Sequence, residues 1–215
     1  MIVEEVMVPK PFTIKKSQSL SDAQKLMVKH SIRHLPVMDK GSLLGIITES
    51  DIRCAFIDGN SRGKTVLNPS KMLVSDYMTQ DPLTAAPETN IEDAALIIYK
   101  HKVGALPVVA KNKLVGIISI MDMLGLFVDM MGLLHSSSRI DIAIGKNPKD
   151  FEQVSGIITG HDLNIISVAL TPPKHCSPQG RKKKQVFSFR LELCEIKQVV
   201  KDIEKAGFNV VEAID

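Results

Sequence analysis

Residues 45–51 have the sequence Gly-Ile-Ile-Thr-Glu-Ser-Asp, and the pattern returns at residues 116–122 as Gly-Ile-Ile-Ser-Ile-Met-Asp. In both places an apolar run typical of a buried strand ends at a hydroxyl residue, with a carboxylate three positions later. That spacing of hydroxyl and carboxylate is typical of a helix start. The two segments therefore predict the same strand-to-helix junction twice in one chain.

The two junctions belong to a longer internal repeat. A shift of 71 residues overlays residues 6–53 on residues 77–124 without a gap and gives sixteen identical positions. Conservative pairs, such as Thr48 with Ser119, add to the similarity. A repeat of this length indicates one structural unit that is present twice. We expect the two copies to pack on each other.

Each copy predicts the order strand, helix, strand, strand, helix. An extended segment at residues 11–14 comes first, and the helical spacing of Leu20, Ala23 and Met27 predicts the first helix. Two apolar strands follow, and their lack of alternation indicates cover on both faces. The second helix begins after Thr48 in one copy and after Ser119 in the other, where it continues to about residue 134.

This pattern resembles the CBS domain family, and its tandem copies resemble a CBS pair, or Bateman module. The predicted repeats span residues 1–62 and 72–130. The resemblance implies a regulatory protein without a catalytic site that binds an adenine nucleotide: AMP, ATP or a ligand like S-adenosylmethionine. It also implies a homodimer, and it leaves the regulated protein partner unknown.

The repeated motif suits a phosphorylated nucleoside on chemical grounds. Free N–H groups and the positive end of the helix dipole make a helix start an anion site. A hydroxyl in the first turn can hydrogen-bond a phosphate, and the carboxylate three residues later can accept bonds from a ribose diol. The alternative is helix capping alone, which the same spacing also predicts. One residue can do both.

The resemblance distributes the contacts over two nucleotide sites. The first site comprises Arg33, His34, Thr48, Asp51, Leu83, Thr84 and Val103. The second nucleotide site comprises Phe12, Thr13, Ile32, Ser119 and Asp122. In both sets the apolar members, together with Thr13 and Thr84, would line a slot for adenine, and plain core packing is the alternative for each of them.

The first site is favoured for a phosphate because the second copy lacks its basic residues. Arg33 and His34 precede the central strand of copy one, whereas Gly104 and Ala105 hold these places in copy two. The resemblance puts basic residues here against phosphates, so the second site would take an uncharged adenosine moiety or stay empty. The alternatives are a partly buried, hydrogen-bonded histidine and a solvated arginine.

The last third of the chain changes pattern. After a linker at residues 131–138, residues 139–215 predict the order βαββαβ, which is the ferredoxin-like arrangement. Asn147 and Pro148 are typical of a helix start, and Gly207 of a helix end. The fold class is therefore α/β (α+β), with two repeats of β-α-β-β-α and one βαββαβ domain.

This third also resembles an ACT domain. Such domains often bind amino acids between paired copies through a Pro-Gly at the start of the first helix. Here Pro148 is followed by Lys149, so a role in dimerisation stands beside amino-acid binding. The basic run at residues 181–184 predicts a solvated loop, with an acidic or phosphate partner as the alternative. The domain order resembles acetoin utilization proteins, which implies a link to acetoin or central carbon metabolism.

Composition excludes several other classes. The chain has 215 residues, 44% of them hydrophobic, and a net charge of +3, which is too small by itself to indicate nucleic-acid binding. Three separated cysteines, Cys54, Cys176 and Cys194, argue against a disulfide framework or a zinc site. We expect a cytoplasmic protein without a membrane span, a metal site or a required cofactor. No nucleophile–base pair or P-loop indicates an enzyme. A ligand-free assembly scaffold is the alternative function.

Overall fold

The computed structural model describes residues 1–61, 68–134, 136–145, 147–171 and 185–215. The chain divides into two compact units, Met1–Leu124 and Gly125–Asp215. The basic run at residues 181–184, Cys176, linker residue 135 and the end of the first predicted repeat at residue 62 lie outside the described residues.

The first unit contains both repeats except for the C-terminal part of the last helix of copy two, which begins in the first unit and ends in the second. Copy one has the elements β1 (Val8–Pro9), β2 (Ile14–Lys15), α1 (Leu20–His30), β3 (His34–Asp39), β4 (Ser42–Thr48) and α2 (Glu49–Ser61). Copy two has the elements β5 (Thr79–Gln80), α3 (Ile91–His101), β6 (Ala105–Ala110), β7 (Lys113–Ser119) and α4 (Ile120–Met130). Short 3-10 helices lie at Val3–Glu5, Pro69–Lys71 and Val74–Asp76.

The elements form where the local chemistry predicts them. Ser19 caps α1, because its side chain accepts a hydrogen bond from the Asp22 backbone N–H. Leu20, Ala23 and Met27 are the buried face of this helix, as their spacing predicts. The extended segment expected at residues 11–14 is shorter in the structure, since strand β2 begins only at Ile14.

The two repeats exchange their first segments, which the sequence did not predict. Strand β1 of copy one pairs with β7 of copy two, and β5 of copy two pairs with β4 of copy one. The sheets therefore have the orders β2-β3-β4-β5 and β1-β7-β6. Val3 and Val74 are both fully buried, and Val74 belongs to the core of the first repeat. Each copy thus completes the other.

Two glycines permit this close exchange. A Cβ on Gly45 would lie 2.6 Å from the Thr79 carbonyl oxygen, and a Cβ on Gly116 would overlap the Met7 sulfur. Only a residue without a side chain fits here without displacing its neighbours. The methionines preceding the exchanged strands pack on these glycines, as the sequence indicated for Met7 and Met78.

Helix α4 ends at Met130, not near residue 134 as the sequence indicated. Gly132 has φ +66°, its N–H bonds to the Asp129 carbonyl, and the next N–H bonds to Val128. These two bonds cap the C-terminus of the helix around the left-handed Gly132. They satisfy two of the last carbonyl groups of the helix and end it.

The second unit contains β8 (Ser137–Ile144), α5 (Pro148–Gly160), β9 (Ile165–Thr171), β10 (Gln185–Glu192), α6 (Lys197–Lys205) and β11 (Asn209–Ile214). Its four-stranded sheet is antiparallel with the order β11-β8-β10-β9, so the βαββαβ prediction is confirmed. The linker prediction was too long, since Ser137 and Ser138 already belong to β8. Ser138 is buried, and its Oγ both donates to and accepts from the Cys194 backbone.

The sheet and its two helices enclose one core. Ile140, Ile142 and Ile144 of β8 are buried, as their alternation predicts. They pack with Phe189, Leu191 and the inner faces of both helices. Asn147 caps α5 by accepting the Lys149 N–H, as expected. The residues of this unit therefore form a ferredoxin-like domain.

Candidate functional site

The two repeated motifs form nearly identical helix starts. In copy one the Thr48 backbone N–H and hydroxyl both donate to Asp51 Oδ2 at 2.8 Å, and the Asp51 N–H donates back to the Thr48 hydroxyl at 3.2 Å. In copy two Ser119 and Asp122 make the same three bonds at 2.7, 2.6 and 3.3 Å. The capping role of these residues is therefore real in both repeats.

Capping leaves these residues accessible. Thr48, Asp51, Ser119 and Asp122 are all partly exposed, so neither motif is sealed inside the protein. Within the described residues the bonds of each cap use Oδ2 of the aspartate, and none uses Oδ1. A free carboxylate oxygen at a helix start can accept a further hydrogen bond from a ligand hydroxyl.

His34 contacts both repeats. It begins β3 and pairs with Thr48 across the ladder to β4. Its ring also reaches copy two, where a Cβ on Gly104 would overlap His34 Nε2. Burial is the largest cause that lowers the pKa of His34, and the charge of Arg33 lowers it further, whereas Asp51 and Asp122 act to raise it. Both carboxylates therefore act on one imidazole.

Arg33 precedes β3 and is exposed. Its carbonyl oxygen accepts the Glu49 N–H at 3.0 Å, which ties the start of β3 to the start of α2. The equivalent bond in copy two joins the Gly104 carbonyl to the Ile120 N–H at 3.1 Å. The two repeats thus share a backbone frame and differ in the side chains that it carries.

The expected adenine contacts lie mainly where the chain crosses between the two sheets. Phe12 and Thr13 are exposed and connect β1, in one sheet, to β2 in the other. Leu83 and Thr84 are exposed on the matching segment between β5 and Ala85, which bridges to Val108 of β6. The ring of Phe12 is stacked on His30 with centroids 3.7 Å apart.

The two remaining predicted contacts have different surroundings. Ile32 packs against the core of the first repeat, so its packing alternative holds at least in part. Val103 is half-buried and, with Gly104, lines a cavity of about 670 Å³ whose wall also includes Ile120 and Met123. Val103 is the one predicted site residue in this cavity wall.

Sequence reasoning missed the position of His34 relative to copy two. It assigned the side chain to the Asp51 site, whereas the ring also lies against Gly104, and the charge of Asp122 acts to raise the pKa of His34. The one available signal was the place of Gly104, which is the counterpart of Arg33 in the repeat. The glycine removes the side chain that would occupy the space of the imidazole.

No helix in the described part of the chain combines the length and the apolar character that a bilayer span requires. Across the same part of the chain, no group of three or more His, Cys, Asp or Glu side chains could hold a metal ion.

Curated relatives share the repeat region. The CBS domain-containing protein YhcV of Bacillus subtilis (strain 168) is 29% identical over 121 residues, which are 56% of this chain and 81% of YhcV. An inosine-5'-monophosphate dehydrogenase of Methanocaldococcus jannaschii is 27% identical over 97% of this chain. A homoserine O-acetyltransferase of Methanococcoides burtonii is 40% identical over 54% of it. The chain spans only 41% and 22% of those two enzymes.

Solved structures resemble the same region. An acetoin utilization protein (AcuB) of Vibrio cholerae is 32% identical with a TM-score of 0.56, over 62% of this chain and 96% of that one. The CBS pair of MJ0100, in complex with 5'-methylthioadenosine and S-adenosyl-L-methionine, is 29% identical with a TM-score of 0.53, over 59% and 99%. CBSX2 in complex with AMP is 30% identical with a TM-score of 0.51, over 60% and 96%.

The CBS domain family itself matches twice, at residues 3–58 and 74–129. The two matches fall on the two copies of the internal repeat and together cover half of the chain. They agree with the exchanged strands, with the paired helix starts and with the solved structures that resemble this region. The chain belongs to the CBS domain family and carries a tandem pair of CBS domains.

Proposed function

We propose that the CBS pair binds an adenine nucleotide and that the protein is a regulator without catalytic activity. The observation that carries the proposal is the accessible helix start at Thr48 and Asp51, beside the basic residues Arg33 and His34. A helix start and a basic side chain together attract a phosphate. The similar structures of CBSX2 with AMP and of MJ0100 with S-adenosyl-L-methionine support this ligand class.

In the proposed first site Arg33 and His34 contact phosphate, Thr48 hydrogen-bonds it, and Asp51 accepts bonds from the ribose hydroxyls. Leu83, Thr84 and Val103 would flank the adenine. Their places on a crossing segment and in a cavity wall are compatible with that role. AMP, ATP and S-adenosylmethionine are the ligands to test.

The proposed second site uses Ser119 and Asp122 with Phe12, Thr13 and Ile32. It has the same helix start, but Gly104 and Ala105 provide no charge at the strand start. Since a phosphate would gain less there, this site would take an uncharged adenosine moiety or remain empty. Phe12 is 49% exposed, and an adenine could contact the part of its ring that His30 does not cover.

The proposal extends to assembly and to the C-terminal unit. A homodimer is supported by exposed apolar side chains along α4, among them Met121, Leu124 and Phe127. The ferredoxin-like unit would be an ACT domain that assists dimerisation or binds an amino acid. Similarity to AcuB of Vibrio cholerae favours a role in acetoin or central carbon metabolism. A cytoplasmic location fits a nucleotide sensor, and the regulated partner would be another protein.

Calorimetry with AMP, ATP, S-adenosylmethionine and adenosine tests the ligand class and the site. Asp51→Ala removes one or two hydrogen bonds between a carboxylate and ribose, each worth roughly 1.5–3 kcal/mol. AMP affinity should fall about tenfold or more. Asp122→Ala is the matched control, because it removes the same capping bonds from copy two and should weaken AMP less. Equal losses in the two variants would contradict the first-site assignment.

A ligand-free scaffold is the second candidate, and the complete capping bonds favour it because they satisfy both motifs without a ligand. A ligand that binds the native state must raise the melting temperature. We expect AMP to raise it. An unchanged melting temperature across the four ligands, with no small molecule released from the purified protein on denaturation, would support the scaffold instead.

A further inference from the structure

The single imidazole between the two repeats has no counterpart in copy two. His34 corresponds to Ala105, and the residue before it corresponds to Gly104. The ring of His34 occupies the space beside Gly104, just before the neighbouring strand, since a Cβ on this glycine would overlap His34 Nε2.

Strand pairing and a backbone hydrogen bond connect the residues around this ring to both helix starts. His34 pairs with Thr48, the cap of α2, and Ala105 pairs with Ser119, the cap of α4. The Gly104 carbonyl under the ring accepts the N–H of Ile120, the first residue of α4. Short backbone connections therefore join His34 and Gly104, the residue that its ring contacts, to both motifs.

Three charged groups from three segments act on the ring. Arg33, just before β3, disfavours the imidazolium, whereas Asp51 on α2 and Asp122 on α4 favour it. Burial also disfavours the charged form, so the pKa of His34 lies below its ordinary value in the ligand-free protein. An anion bound beside the ring would oppose these effects and favour protonation.

We propose that His34 is shared by the two CBS clefts, which are the proposed first site at Asp51 and the proposed second site at Asp122. A ligand or a charge change at either aspartate then alters the protonation of the same imidazole and couples the two clefts. This inference rests on the proposed nucleotide function for its ligand, but the shared position of His34 does not. When an anionic ligand binds in the Asp51 cleft, His34 takes up a proton. Coupling between sites must be reciprocal, so loss of the Asp122 charge changes binding in the Asp51 cleft.

The ligand-free protein tests the shared position directly. The ring-proton NMR signal of His34, assigned by its absence in His34→Gln, is titrated with pH in wild type, Asp51→Asn and Asp122→Asn. Asparagine can still accept the capping bond through its amide oxygen, so both helix starts should persist. Each variant should lower the pKa of His34. An unchanged titration in either variant would overturn the sharing, whatever the ligand proves to be.

The ligand arm uses AMP calorimetry at pH 6 and pH 8. Wild type should bind AMP more tightly at pH 6 than at pH 8, because the imidazolium contacts the phosphate. The factor between the two affinities should be larger in wild type than in His34→Gln. The difference between the two proteins removes the titration of AMP itself. Asp122→Asn should reduce the wild-type factor although it lies in the other repeat, and His101→Gln should leave it unchanged. Equal factors in wild type and His34→Gln, with AMP still bound, would refute the coupling; no AMP binding at all would instead refute the proposed function.

Discussion

The two CBS repeats have the same strand-to-helix junction but different chemistry beside it. Thr48 with Asp51 and Ser119 with Asp122 make matching sets of three capping bonds. Copy one adds Arg33 and His34, whereas copy two has no charge at these places. The comparison shows that the capping bonds are a common feature of the fold, whereas the basic residues before the central strand of copy one distinguish the two clefts.

The largest expected effect comes from making copy one resemble copy two. Arg33→Gly removes the exposed guanidinium, and a charge-assisted bond to phosphate is worth roughly 1.5–3 kcal/mol. AMP affinity should fall about tenfold or more in calorimetry, whereas adenosine, which lacks the phosphate, should bind as before. A parallel loss of adenosine binding would mean that the variant damaged the cleft rather than a phosphate contact.

The next largest effect compares the packing of the two exchanged strands, β5 and β1. Gly45→Ala would place a methyl group 2.6 Å from the backbone oxygen of Thr79, which cannot move without breaking strand pairing. We expect a loss of about 1–3 kcal/mol in the free energy of unfolding, measured by urea denaturation. Gly116→Ala meets mainly the flexible side chain of Met7 and should cost less. The opposite ranking would contradict the described packing of the exchange.

The first helices of the two repeats provide a smaller contrast. The Ser19 side chain caps α1, whereas Asn90 makes no side-chain capping bond to α3. Ser19→Ala should therefore lower the free energy of unfolding by about 1 kcal/mol. Asn90→Ala is the matched control and should have little effect. Similar losses in both variants would show that Asn90 also caps its helix in solution.

The smallest effect is the pH dependence of that cap. The Ser19 side chain lowers the pKa of Asp22 below its ordinary value of 3.8. A carboxyl group with a lowered pKa stabilises the fold above its unfolded pKa, and this contribution is lost as the pH falls through the folded pKa. The stability difference between wild type and Ser19→Ala should therefore shrink on acidification below about pH 4. A difference that grows on acidification would have the wrong sign.

Local pattern was sufficient for much of the fold. The 71-residue repeat, the capped helix starts and the buried faces of α1 and β8 follow from spacing, because helix and strand periodicity is a property of a few neighbouring residues. The βαββαβ order of the second unit was predictable for the same reason. The wrong predictions concern the ends of elements. Gly132, with its positive φ, ends α4 earlier than predicted, and Ser138, which is hydrogen-bonded to the Cys194 backbone, belongs to β8 and not to the linker.

The sequence by itself determined that one unit occurs twice, which residues cap its helices, and that only copy one has basic residues before its central strand. Only the tertiary structure decided that β1 and β5 exchange sheets and that His34 lies against Gly104, where the charges of Asp51 and Asp122 both act on its pKa. The physical reason is distance along the chain. Caps and periodicity act within a few residues, whereas the exchange joins Gly45 to Gln80 and Val8 to Ile117, and the imidazole of His34 lies against Gly104, so these contacts join positions from about 35 to about 110 residues apart.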